Sequence, residues 1–246
     1  MPFRTGGAGA YRSRMTRPWS LPALLAAFLL EIGSASAACP PAEGERLILA
    51  APASPAARAL LGPAAAGPLP VVLAQANGAA LPFVLDTGSS LTLLRPEAAV
   101  ALGLSVDPDR TTPITGVGGT SRLPNAVLRH FGIGRRVFPN LSLPVAPGSE
   151  DEGGIAGIVG ADLLRHGALE LDLPAGRAVL HDSPACIAAA PPWPAEALPA
   201  EVTGEGLVIL PLRLNGRPAR ALVDTGAART VLRRERIEAF GIPAAV

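Results

Sequence analysis

Phe83-Val84-Leu85-Asp86-Thr87-Gly88-Ser89-Ser90 is an apolar run that ends on a carboxylate, and Ala221-Leu222-Val223-Asp224-Thr225-Gly226-Ala227-Ala228 repeats it. Either stretch alone reads as a strand entering a turn, because Asp accepts backbone hydrogen bonds, Gly takes positive φ and Thr suits a strand end. The pair asks for more. A buried strand that delivers a charge to its end incurs a desolvation cost, and two such strands at matching offsets are hard to explain as turns. Their surroundings match as well. Asn77-Gly78 precedes Asp86 by nine positions and Asn215-Gly216 precedes Asp224 by nine; an Asn-Gly pair between apolar runs signals a two-residue hairpin. Thr92 corresponds to Thr230, Arg95 to Arg233 and Gly103 to Gly241, without a gap. Pro96 suits a first helical position, and Gly103 or Gly241 a helix stop. Each copy is expected to run hairpin, acidic loop, strand, short helix, and this internal duplication decides the architecture.

From Leu69 to about Asp182 short apolar runs are punctuated by Gly, Pro and Asn, the pattern of a mainly β domain. The chain divides into a signal segment (1–37), an Ala- and Pro-rich arm (38–66), a first lobe (67–182), a linker (183–205) and a partial second lobe (206–246). Pro184, Pro191, Pro192, Pro194 and Pro199 stiffen the linker. The arm has little periodicity and is expected to be poorly ordered or draped over the first lobe. Arg12, Arg14 and Arg17 precede an apolar run from Trp19 to Leu30 and a small-residue end at Ala35-Ser36-Ala37, which predicts export with cleavage before Ala38 to the periplasm or the exterior. Met15 is an alternative start. A lipid anchor at Cys39 is a second possibility for the same segment, although Ser36 stands where a large aliphatic residue is expected. Cys39 and Cys186 either pair in a disulfide or are unrelated thiols.

A formal net charge of +1 supplies no field that would recruit nucleic acid or an anionic membrane. All basic residues are Arg, and the missing Lys removes phosphate-binding P-loops, Schiff-base chemistry and Ser-Lys dyads together. No Gly-x-Ser-x-Gly elbow is present. His130, His166 and His181 lack metal-ligand spacing and read as surface or strand residues. Arg229, Arg233, Arg234 and Arg236 read as a solvated face of the last helix, and Asp162 and Asp172 as local caps and turns.

With Ile158-Val159-Gly160-Ala161-Asp162-Leu163-Leu164 added, the set of motifs resembles the aspartic peptidases, and among them the retropepsin-like proteins of bacteria. The resemblance implies a duplicated, barrel-like acid-protease lobe in which the apolar-apolar-Gly stretch threads beside the acidic loop. It implies that Asp86 and Asp224 are catalytic and share one proton, that Thr87 and Thr225 lock the loops, and that Gly88 and Gly226 permit the close approach. Ser89 is expected to offer its hydroxyl to Asp86, leaving Asp86 more readily ionised than Asp224, whose loop has Ala227 instead. Gly116, Val117, Gly118 and Gly119 fall where such proteins carry a flap, and a Gly-rich hairpin tip opens and closes at small cost. Pepsins carry a Tyr in that flap; the only Tyr here is Tyr11, which selects the retropepsin-like branch. The implied activity is that of an aspartic endopeptidase acting on peptide or protein substrates without metal or organic cofactor. The alternative is a noncatalytic peptide-binding or dimerisation module on the same fold.

The second copy departs from the pattern: from Gly206 onward there is no second flap and no second apolar-apolar-Gly element. Three explanations stand side by side: the chain is a fragment, the strands come from another molecule, or the second lobe is vestigial. In the last case the first lobe would form a homodimer, with Asp86 facing its own twin.

Overall fold

A computed structural model of the chain describes residues 46–48, 69–116, 119–147, 154–181 and 196–243. The expected signal segment, Cys39, Cys186, most of the arm, much of the linker, and Val117 and Gly118 of the expected flap lie outside the described residues. Within the arm, β1 (Arg46–Ile48) pairs antiparallel with a later strand, Arg46 opposite Val179.

The first Asn-Gly pair makes its hairpin. β2 (Val71–Ala76) and β3 (Ala79–Leu85) are antiparallel with Ala76 opposite Ala79. The turn needs positive φ at both central residues, which Asn77 (49°) and Gly78 (90°) supply. β3 runs from an exposed turn into the core, so Phe83, Val84 and Leu85 are all buried when the chain reaches Asp86. Beyond the loop come β4 (Leu93–Leu94) and α1 (Pro96–Ala101), which begins on Pro96 and stops at Gly103 with φ of 62°.

β5 (Val106–Gly116) and β6 (Gly119–Ile133) form a long hairpin whose last described pair is Gly116 opposite Gly119. Burial along β6 rises from its exposed start to Phe131 and Ile133, so the tip stands away from the core. β7 (Arg136–Pro144) follows, then β8 (Gly157–Val159) and α2 (Ala161–Leu164). β9 (Ala168–Asp172) and β10 (Arg177–His181) complete the first half with β1 as a three-stranded sheet.

The larger sheet has the order β4-β8-β3-β2-β6-β5, with β7 also on β6. The barrel closure expected from the sequence is not formed among the described residues, where one isolated parallel bridge, Leu94 to Val145, links the end of β4 to the segment after β7. The fold is mainly β. Its core gathers Phe83, Leu85, Leu94, Leu128, Phe131 and Ile133 with Ala178 and Leu180 of the smaller sheet. Phe83 and Phe131 meet edge to face with centroids 5.2 Å apart. Each such large side chain contributes about 1.5–3 kcal/mol by leaving water.

The second half reproduces the hairpin alone. β11 (Glu201–Val202), β12 (Val208–Leu214) and β13 (Arg217–Leu222) form a three-stranded sheet, with Asn215 and Gly216 again at positive φ. The expected strand and helix after the second loop differ from their counterparts. Val231 and Leu232 pair with nothing among the described residues, because β4 exists only by pairing with β8 and no counterpart of β8 is described here. The expected helix is two 3-10 turns, Arg234–Arg236 and Glu238–Phe240, with Arg234 where the first copy has the helix-starting Pro96. Gly241, at φ of 67°, still ends it.

Candidate active site

Asp86 leaves the end of β3 beside β8, which runs parallel with Leu85 opposite Val159. Its own N–H donates to the Val159 carbonyl at 3.0 Å, so the residue is pinned before its side chain turns. The carboxyl then accepts from the backbone N–H groups of Gly88 (2.9 Å) and Ser89 (3.0 Å) through Oδ1. Asp224 leaves the equivalent end of β13, and its Oδ1 accepts from the Gly226 N–H at 2.9 Å.

The two loops are locked by a reciprocal lattice. Thr87 N–H donates to Thr225 Oγ1 (3.0 Å) and Thr225 N–H to Thr87 Oγ1 (3.1 Å). Each hydroxyl then donates to the strand that leads into the opposite loop, Thr87 to the Val223 carbonyl (2.7 Å) and Thr225 to the Leu85 carbonyl (2.6 Å). Four bonds between residues far apart in sequence fix the loops face to face within one chain.

Gly88 and Gly226 supply the space. A Cβ on Gly88 would overlap the Asp224 carboxyl, 2.7 Å from Oδ2 and nearer to its other atoms. A Cβ on Gly226 would stand 2.5 Å from both Asp86 oxygens. Each carboxyl thus rests on the glycine of the other loop, and the pair meets across an approximate two-fold relation.

Burial, then the charge of Asp224, then a hydrogen bond to the Asp224 side chain push the Asp86 carboxyl above its ordinary value of 3.8; the Gly88 and Ser89 N–H bonds oppose the rise. The expectation that Ser89 would offer its hydroxyl to Asp86 is corrected. Ser89 Oγ donates to the Leu91 carbonyl at 2.8 Å, and only its backbone N–H reaches Asp86. The surroundings of Asp86 are drier because the first half packs β8 and α2 behind it, whereas Asp224 is exposed.

A supporting cluster adds to what the sequence assigned. Thr92, fully buried, accepts from the Gly160 N–H (3.0 Å) and donates to Asp162 Oδ1 (2.7 Å), while the Ala161 N–H donates to the Ser89 carbonyl (2.8 Å). Asp162, read as a local cap, therefore also ties α2 to the acidic loop. Its signal was Thr92 recurring as Thr230 in the alignment of the copies. Of the expected flap, Gly116 and Gly119 close the described part of the hairpin, and Thr115 and Thr120 share a hydroxyl hydrogen bond of 3.0 Å beneath them. His130 and His166 are exposed, and His181 Nε2 lies 3.0 Å from Glu170 Oε2.

The family model described as "Aspartyl protease" matches residues 72–163 and 210–246, more than half of the chain and both acidic loops. The chain belongs to the aspartyl protease family. Among solved structures it is similar to a retropepsin-like aspartic protease from Rickettsia conorii, with 24% identity, 46% of this chain and 81% of that one covered, and a TM-score of 0.32. It is also similar to the EIAV protease complexed with the inhibitor HBY-793, with 22% identity, coverage of 39% and 86%, and a TM-score of 0.30. No curated protein matches it.

Proposed function

We propose that this aspartyl protease family member is an aspartic endopeptidase of the retropepsin-like kind, with Asp86 and Asp224 as its catalytic pair. The observation that carries this reading is the seat of each carboxyl on the opposite loop's glycine. Two carboxyls so close cannot both ionise comfortably, so the pair keeps one proton between them and titrates as a unit. In this cycle one carboxyl of the pair carries that proton to the scissile carbonyl oxygen while the other takes a proton from a water between them. Water oxygen bonds to the carbonyl carbon and a gem-diol forms; the C–N bond then breaks as the carboxyl that took the water's proton passes it to the leaving nitrogen and a diol hydroxyl returns a proton to the other carboxyl. No covalent enzyme intermediate is required, and neither a metal nor an organic cofactor is part of this chemistry. Aspartic proteases are a general illustration of such shared-proton pairs, and the pattern is carried over here on the geometry.

The substrate in this reading is an extended peptide or protein segment, and the β5–β6 hairpin serves as its lid. The apolar run from Trp19 to Leu30 supports export to the cell envelope. Cleavage of a mixed peptide library across pH, with and without a transition-state mimic of the pepstatin type, tests the activity. Mimic-sensitive cleavage that disappears in both Asp86→Asn and Asp224→Asn is expected. Cleavage that survives Asp86→Asn would defeat the assignment. Exposure of Val231 (83%) and Leu232 (40%) in the second half favours a second reading, a peptide-binding or dimerisation module, which the absence of any cleavage would support.

A further inference from the structure

α2 is held at both of its ends. At its start the Ala161 N–H donates to the Ser89 carbonyl (2.8 Å), and the Ser89 N–H donates in turn to Asp86 Oδ1 (3.0 Å). At its other end stands Arg165, whose N–H donates to the Ala161 carbonyl (2.9 Å). Its Nη1 donates to the Gly204 carbonyl at 3.3 Å, an oxygen that any residue at 204 would offer. Residue 204 belongs to the turn that leads into the second half.

That turn is closed on itself. Thr203 N–H donates to the Leu207 carbonyl (2.9 Å), Gly206 N–H to the Thr203 carbonyl (2.9 Å) and Leu207 N–H to Thr203 Oγ1 (3.1 Å). Gly206 lies directly against the end of α2. A Cβ there would stand 3.1 Å from Arg165 Cδ, 3.2 Å from Arg165 Cβ and 3.3 Å from the Ala161 carbonyl oxygen, and its φ of 89° is one that glycine adopts without strain. Arg165 is exposed, so its aliphatic stem covers a residue without a side chain while the charged end stays in water. From Gly206 the chain passes into β12, where the Val208 carbonyl accepts from the Val223 N–H (2.9 Å), one residue before Asp224.

We propose that Arg165 and Gly206 are positioning residues for the carboxyl pair, with α2 acting as a strut between the first acidic loop and the entry to the second half. The contacts make a ring that runs from Asp86 through Ser89, α2, Gly206, Val208 and Val223 to Asp224, and it closes where each carboxyl meets the other loop's glycine. The Thr87–Thr225 lattice holds the loops at one place, and a body held at one place still rotates about it. The contact on α2 is a second hold that opposes the rotation. Arg165 touches no reacting atom, and its role rests on the reading of Asp86 and Asp224 as the catalytic pair.

Arg165→Ala and Arg165→Lys in the full chain, compared by peptide cleavage, carbon-13 titration of the Asp86 carboxyl and urea denaturation, test it. Arg165→Ala should lower kcat about tenfold with KM within about twofold of wild type, because alignment of the pair matters in the transition state and not in substrate binding. The Asp86 titration should move toward 3.8 as the neighbouring charge recedes. Arg165→Lys keeps the stem and a donor and should restore most of both. A lower urea midpoint with kcat per folded molecule and the Asp86 titration unchanged would mean a merely structural contact and would overturn the proposal. So would a Lys variant as impaired as the Ala variant, since stem and donor would then not be what matters. If the wild-type chain cleaves no peptide, the endopeptidase reading fails and the titration alone decides: a response of Asp86 to Arg165→Ala upholds the strut, and no response overturns it.

Discussion

Replacing Gly226 by Ala sets a methyl group where the Asp86 carboxyl lies. The new Cβ would stand 2.5 Å from both carboxyl oxygens, against a comfortable separation of about 3.5 Å, so the carboxyl must withdraw by about 1 Å. Gly226 is not among the glycines at positive φ, so the backbone itself accepts Ala and the effect is confined to space. A misplacement of that size at a reacting group costs about 10²-fold. The assay is kcat/KM on a fluorogenic peptide, with urea denaturation run in parallel. We expect kcat/KM to fall about 100-fold or more while unfolding stays cooperative, with a stability loss of about 1–3 kcal/mol at most from overpacking. Gly204→Ala, where a Cβ meets nothing within 4 Å, is the control and should leave both unchanged. Wild-type kcat/KM in Gly226→Ala would mean that Asp86 does not face the second loop in the active species. A homodimer pairing Asp86 with its twin would give that result, and the single-chain pair would be refuted.

Thr87→Val and Thr225→Val each remove two of the four interlocking hydrogen bonds, and each should cost about 1–3 kcal/mol by chemical denaturation. The double variant should cost less than the sum by at least roughly 0.5 kcal/mol, because one break already frees both loops. Thr92→Val strips the acceptor from the buried Gly160 N–H and should destabilise by about 2 kcal/mol, whereas Thr230→Val at the exposed counterpart should stay within about 0.5 kcal/mol. Because the folded state raises Asp86 above 3.8, the native chain binds its proton more tightly than the unfolded chain and loses stability as pH climbs through the window above that value. Asp86→Asn escapes this penalty. Its unfolding free energy relative to wild type should grow as pH rises from acid to neutral and show no such gain below 3.8.

Duplication made most of the site legible, since two Asn-Gly hairpins at equal distance from two Asp-Thr-Gly loops specify two strands that deliver two carboxyls. The local rules held at Asn77, Gly78, Pro96 and Gly103, where backbone conformation follows from the residue itself. What lay beyond the sequence depended on tertiary partners. Val231-Leu232 has the composition of a strand but no strand beside it to pair with among the described residues, and Arg234 replaces the proline that starts α1. Ser89 has a hydroxyl suited to a carboxylate, yet the Leu91 carbonyl is better placed to receive it. The rise of Asp86 comes first from burial, which the sequence of the loop alone does not encode.

Carbon-13 NMR of the aspartate side-chain carboxyls, titrated from acid to neutral pH, reaches the central claim most directly. One proton held between Asp86 and Asp224 predicts that Asp86 titrates above the ordinary 3.8, and that Asp224→Asn returns it part of the way, since burial remains after the neighbouring charge has gone. An Asp86 that titrates at the ordinary value and does not respond to Asp224→Asn would contradict the account.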